Sequence, residues 1–462
     1  MGIIGGVMLP HAPELLPGVN RNAQKKLKET LKACEEAGKF IRDLAPETIV
    51  FVSPHAPRYY DYFHISRADV LSGDMGKWGA PELTFEEKVD TDFRDALAKI
   101  CQESKFPAGF GGRQSASMDH GIMVPLAVIR EYYGNGRVVL VGTSGLPRTS
   151  HYRLGEYMKE VAETLHKRVV VVASGDLSHR TRKASPGGFD AAGPKYDKKM
   201  CAIMEEGRFI DVLTFDRDLL QKAESCGHRA LSVLAGALDR SDLARGPLSY
   251  ADPFGVGYAV CSYRVTGPNA KRDFLHQYAD AEKKRLTEAR TDEDPYVHLA
   301  REAAETMVLT GKRLSLPKTL PEAFYKKSHG VFVTVIGEEG KRGSIGTLEP
   351  VKETLAEEII SNAVKAVTAD SRFSPVSPME LLGLSYDVDL IQTPKKVTDR
   401  KELDADKYGL IAQKDDKTGI LLPGIEGIQT ADAQIAIARH KAGISKQEKG
   451  VSLKKFSVER HR

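Results

Sequence analysis

The chain has 462 residues, with 67 basic and 63 acidic side chains, a net charge of +4 and 28% charged residues. Such balance leaves no electrostatic footprint for nucleic acid or a membrane surface, and no apolar run approaches the ~20 residues that cross a bilayer. Single cores stop growing near ~250–300 residues, so two domains are expected. Five scattered cysteines, an odd number with no CxxC pair, fit a reducing cytoplasm better than a disulfide framework.

The opening MGIIGGVML is apolar but lacks the basic n-region and cleavage site of a secretory signal, so it reads as a buried strand. Short Val- and Ile-rich runs at 2–8, 48–52, 138–142, 169–173 and 256–263 then alternate with amphipathic stretches at 21–44, 90–102, 121–132, 152–165 and 230–238. That alternation predicts an α/β domain over residues 1–268, a mostly parallel sheet flanked by helices. The charged segment 269–292 reads as a helical linker. Beyond it, 293–462 predicts an α+β domain: a helix near 296–310, the strand GVFVTVIG, a Gly-rich turn KRGSIG, a helix at 356–367 and strands near 386–390 and 408–412. There is no internal repeat, so the halves are different folds.

In open α/β sheets, ligands bind beyond the carboxyl ends of the strands. His11 follows the first predicted strand in LPHAPELLPG and His55 the second in FVSPHAPR, each bracketed by prolines that exclude helix and turn the imidazole out of the sheet. Two strands ending in PHAP make a metal-ligand layout. His179 follows another strand in VVVVASGDLSHR, and His120 precedes a helix in SMDHGIMVPL. A lone loop histidine is more often structural, and His64, His151, His166, His228, His276, His298 and His461 are read that way. Asp119 and Asp176 are expected to orient neighbouring histidines or cap helices. GTSGLP around Ser144 does not match a nucleophile elbow, and GIIGG and GFGG lack dinucleotide-fingerprint spacing.

LPHAPELLPG, SPHAP, DHG, SGDLSH, ESCGHRALSVLAGAL and PFGVGYAV occur in this order. Through them the first ~265 residues resemble the LigB-like class III extradiol ring-cleavage dioxygenases and their non-oxygenase relatives, the Memo-like proteins. The resemblance implies Fe(II) held by two histidines, matching His11 and His55, and a glutamate. It implies an acid/base histidine matching His179 and a pocket histidine matching His120. A two-histidine, one-carboxylate face leaves open positions for catecholate and dioxygen, and a histidine near neutral pKa can move the catechol proton.

The third ligand stays open between Glu224 and Cys226 in AESCG. Cys226 aligns with the Memo-like cysteine ligand, and Glu224 would preserve the dioxygenase triad. The sequence favours Cys226: Ser225 is the expected N-cap of the following helix, which puts Cys226 in a first turn whose free N–H groups favour a thiolate. A thiolate widens the metal from Fe(II) to Zn or Cu(I). The remaining cysteines are read as buried apolar residues.

The second half resembles the AMMECR family through GVFVTVIGEEGKRGSIGTLEP, NAVKAVTADSRFSPVSPMEL and ILLPGIEG. Ser344 stands where family members commonly carry a cysteine. Arg342, Ser344, Asp370 and Arg372 are candidates for a polar cleft, with an internal ion pair as the alternative for the arginines.

The first functional expectation is therefore an Fe(II) extradiol-type dioxygenase, an oxidoreductase acting on a catechol-like aromatic substrate. The alternative is a Memo-like metal-binding protein working with a radical S-adenosylmethionine partner in a multi-component modification pathway. This chain has no CxxxCxxC motif and does not itself carry that iron–sulfur cluster.

Overall fold

Four Val- and Ile-rich runs become strands β1 (Ile3–Leu9), β2 (Thr48–Ser53), β3 (Arg137–Gly142) and β4 (Val169–Ser174), which pair in parallel in the order β1-β4-β2-β3. The computed structural model describes residues 2–326, 329–338, 340–425 and 427–462. The chain divides into two units, Met1–Arg285 and Leu286–Arg462.

In the first unit the sheet is mixed. β5 (Ser241–Arg245), β6 (Ser249–Ala251) and β7 (Tyr258–Pro268) extend it antiparallel, with β7 pairing β1, β5 and β6. β4 comes last of the four parallel strands in sequence, yet it inserts between β1 and β2. The carboxyl ends of β1, β4 and β2 are thereby adjacent, at the reversal of strand order where open α/β sheets bind ligands.

Helices cover both faces: α1 (Lys28–Leu44), α2 (His120–Tyr132), α3 (Arg148–Thr164) and α4 (His228–Ala237). Alternate strand residues point to opposite faces, and β1 has glycines on both. A Cβ on Gly5 would sit 2.8 Å from the Leu44 side chain of α1, and one on Gly6 would sit 2.2 Å from Leu234 of α4. The helices press directly on the backbone there. α3 and α4 approach by the same means, since a Cβ on Gly155 would lie 2.0 Å from the Val233 carbonyl. Val170, Val171 and Val172 are fully buried, each contributing about 1.5–3 kcal/mol.

Two local expectations of the first unit need correction. Residues 21–44 are not one helix: Asn20 caps a short turn, Arg21–Gln24, and α1 starts at Lys28. The break lets Leu27 turn inward to complete burial. Ser225 does not cap α4, whose N-cap is Gly227; the Ser225 hydroxyl donates instead to the Asp176 carbonyl at 3.0 Å. A hairpin without a core-facing sequence pattern, Val70–Met75 with Ala80–Lys88, has alternating exposed residues that mark a solvent-facing ribbon. The segment 269–292 contains a helix at Phe274–Ala289, with Leu275 buried.

The second unit is α+β. α5 (Pro295–Thr310) and α6 (Leu355–Thr368) pack on one face of an antiparallel sheet formed by β8 (Gly330–Gly337), β9 (Gly340–Gly346), β10 (Ser385–Ile391) and β14 (Val458–His461), in the order β9-β8-β10-β14. A second antiparallel sheet orders Lys395–Lys396, β13 (Ser452–Phe456), β11 (Gly409–Lys414) and β12 (Lys417–Leu421), covered by α7 (Ala431–Lys441). KRGSIG is not a turn but lies within β9, paired along β8. Its glycines serve close approach, because a Cβ on Gly343 would lie 2.1 Å from the Ala366 carbonyl. Among the described residues no helix is long and apolar enough to cross a membrane.

Candidate metal centre

Proline cannot continue a strand ladder, so Pro10 ends β1 and Pro54 ends β2, releasing His11 and His55 at adjacent strand ends. Their Nε2 atoms lie 3.1 Å apart. The third element is the glycine-tight turn after β4. Gly227 donates its N–H to the Asp176 carbonyl at 2.9 Å, which draws the start of α4 against this turn. Cys226 is thereby seated with Sγ 3.5 Å from His11 Nε2 and 3.7 Å from His179 Nε2. The ligand atoms of His11, His55 and Cys226 all lie within 4.8 Å of one another, and so do those of Asp176, His179 and Cys226.

These separations fit donors sharing one ion. With nitrogen at ~2.0–2.1 Å and sulfur at ~2.3 Å from a metal, neighbouring ligands sit about 3 to 3.6 Å apart. The tautomer fits too: His11 Nδ1 is 2.9 Å from the Ser174 hydroxyl, and a proton held there leaves the Nε2 lone pair free for the centre. His11 is buried while His55 opens to solvent, so the centre is reachable from one side.

Electrostatics also suit a cation. Burial, then the neighbouring His55 and His179, hold His11 well below the ordinary imidazole range, and burial lowers His55, so both are neutral donors. Burial raises the Asp176 carboxyl to about 6. Burial and the Asp176 carboxylate push the Cys226 thiol up, which makes a bound cation the natural source of a thiolate here. The Asp176 N–H donates to Cys226 Sγ at 3.2 Å, replacing the helix-first-turn environment expected from sequence.

Glu224 is not brought to this cluster. It occupies a left-handed position, φ 52°, at the end of helix Arg217–Ala223. Its half-exposed carboxylate lies 3.5 Å from the Arg180 guanidinium. Asp176 does more than was expected of it, because Oδ1 accepts the His11 N–H at 3.2 Å and Oδ2 lies 3.7 Å from His11 Nε2. Asp119 acts one residue removed: Ser53 donates to it at 2.8 Å and accepts the His55 N–H at 3.2 Å.

His120 forms a wall, its ring 4.2 Å from that of His55 and 5.0 Å from Trp78. Burial, and then the cost of a second cation beside His11 and His55, lowers it to about 3. Trp78, Ser174 and Ser53 were not singled out from sequence; Trp78 is the chain's only tryptophan, the one signal available. In the second unit Ser344, Asp370 and Arg372 meet, whereas Arg342 pairs with buried Glu380 at 2.7 Å and braces the fold.

Residues 5–261 match the family described as the catalytic LigB subunit of aromatic ring-opening dioxygenase, and residues 297–461 match AMMECR1. The chain belongs to the LigB family, fused to an AMMECR1 domain. The Clostridium acetobutylicum protein CA_C1420 is 34% identical over the full length of both chains. A Thermotoga maritima protein is 43% identical over 171 residues, covering 37% of this chain and 98% of its own. The crystal structure of an uncharacterised Pyrococcus horikoshii protein aligns at 29% identity over 36% of this chain and 88% of its own, with a TM-score of 0.34. LigB domains are metal-dependent, and the His/Cys/Asp cluster is the corresponding candidate site.

Proposed function

We propose that the LigB unit is a mononuclear metal protein of the Memo-like kind, with His11, His55 and Cys226 as ligands, and that it does not cleave aromatic rings. The observation that carries this reading is the placement of Cys226 Sγ beside His11 Nε2 while Glu224 turns to Arg180. A metal ion held by these residues would supply Lewis acidity or electron transfer to a small molecule. The chain's own residues do the rest. Ser174 fixes the His11 tautomer, the Asp176 N–H orients Cys226, and His179 Nε2 is placed to hold or pass a proton at the edge of the centre. The family resemblance adds a radical S-adenosylmethionine enzyme as partner in a modification pathway, and the scattered free cysteines suit a cytoplasmic setting.

A second reading, an Fe(II) extradiol dioxygenase acting on a catechol-like substrate, draws support from the Asp176 carboxylate near His11. That carboxylate could complete a two-histidine, one-carboxylate set, and Trp78 and His120 offer an aromatic wall.

Metal content after anaerobic purification, measured for the native chain, His55→Ala, Cys226→Ser and Glu224→Gln, separates the readings when joined to oxygen uptake with catechols. Metal lost in His55→Ala and Cys226→Ser but kept in Glu224→Gln, with no uptake, supports the first. Metal retained in Cys226→Ser together with catechol-dependent uptake supports the second.

A further inference from the structure

Two consecutive residues of one helix reach the two segments that meet at the metal centre. Helix Ala192–Glu206 is seated by Gly193, where a Cβ would lie 2.5 Å from the Arg180 carbonyl and 2.7 Å from Ser178 Oγ. Successive helical side chains diverge by about 100°, so Tyr196 and Asp197, both buried, take different partners.

Tyr196 turns to the Cys226 segment. Its hydroxyl lies 3.1 Å from Ser225 Oγ and 3.0 Å from His228 Nδ1, partners on either side of Cys226 in the chain. His228 Nε2 lies 3.2 Å from the Val212 carbonyl. A carbonyl only accepts, so Nε2 carries the proton and Nδ1 is the acceptor for Tyr196. The Phe215 ring packs against both Tyr196 and His228, with centroids 5.2 and 5.3 Å away.

Asp197 turns to the His179 segment. Oδ1 accepts the Ser178 N–H at 2.8 Å and Oδ2 accepts the Tyr250 hydroxyl at 2.7 Å. A Cβ on Gly257 would overlap the same carboxylate. The Ser178 hydroxyl and the His179 N–H then both donate to the Ala223 carbonyl, at 2.8 and 3.2 Å. Tyr196 and Asp197 together bear on both ends of the 3.7 Å approach of Cys226 Sγ to His179 Nε2.

We propose that Tyr196 and Asp197 are positioning residues of the centre, Tyr196 setting Cys226 through Ser225 and His228, and Asp197 setting His179 through Ser178. Satisfied buried networks of this kind rigidify the segments they join. The inference rests on the reading of Cys226 as a metal ligand with His179 beside it.

The test loads the full chain with cobalt(II) as a spectroscopic probe. Near-ultraviolet thiolate-to-cobalt absorption, assigned by its loss in Cys226→Ser, reads Cys226, and hyperfine-shifted proton resonances lost in His179→Gln read His179. Tyr196→Phe should shift the absorption and weaken cobalt binding about tenfold, and Ser225→Ala should do the same, with circular dichroism unchanged. Asp197→Ala should move the His179 resonances and leave the absorption in place. Tyr250→Phe should move them less, and Asp197→Asn, which keeps an acceptor for Ser178, should restore them. Native absorption in both Tyr196→Phe and Ser225→Ala, or native His179 resonances in both Asp197→Ala and Tyr250→Phe, would overturn the proposal and leave the ligand assignment standing. A native chain without thiolate absorption would overturn the ligand assignment and the proposal with it.

Discussion

A Cβ built on Gly175 would sit 2.2 Å from the Cα of Gly227. This contact, between the turn after β4 and the start of α4, holds Cys226 beside His11 although they are 215 residues apart in sequence. Gly175→Ala should force the two segments apart, because backbone rather than a flexible side chain is in the way. The expected outcome is loss of most bound metal from a chain that still folds, checked by metal analysis beside circular dichroism.

Ser174→Ala removes the hydroxyl that partners His11 Nδ1. Partners of this kind typically contribute 10–100-fold to metal affinity. Competition with a chelating dye should therefore show weaker binding by about that factor, and Ser174→Thr, which keeps the hydroxyl, should recover part of it.

Acid should weaken the LigB unit as pH falls below the ordinary imidazole range. His151 is fully buried, donates Nδ1–H to the Pro147 carbonyl at 3.0 Å and accepts the Ser144 N–H on Nε2 at 3.3 Å. Burial holds its pKa well below 6.5. Below pH ~6.5 the unfolded chain takes up a proton that the folded chain refuses, so stability is intact above that pH and falls by about 1.4 kcal/mol per unit beneath it. Urea midpoints measured downward from neutral pH for the native chain and His151→Asn should diverge below pH ~6.5, the variant losing less stability per pH unit by about one proton's worth.

Arg342 and Glu380 form a buried ion pair in the AMMECR1 unit, with side chains 5% and 3% exposed. Glu380→Gln would leave the guanidinium uncompensated, at a cost of about 3–5 kcal/mol. Hydrogen exchange at Val333 and Val335 should accelerate accordingly. Arg400→Gln, at an exposed pair with Asp432, should change exchange little.

How much was legible in sequence follows from how local each signal is. The Val runs and the PHAP turns are local: a β-branched run specifies a strand and a proline ends it, so the parallel strands and the positions of His11 and His55 at their ends could be read directly. The choice between Cys226 and Glu224 was not local. It depends on Gly227 docking against Asp176 from across the chain, and on Glu224 closing its helix in a left-handed conformation toward Arg180. RGSIG looked like a turn because its glycines permit one, but pairing along β8 and the approach of Ala366 make it a strand. Trp78 reaches His120 only through a polar ribbon with no core-facing pattern to announce it.

The most direct test of the metal centre is X-ray absorption on the zinc-loaded chain beside Cys226→Ser. The account predicts a sulfur shell near ~2.3 Å together with nitrogen near ~2.0–2.1 Å, the sulfur vanishing in the variant. A shell of nitrogen and oxygen alone, identical in both proteins, would contradict it.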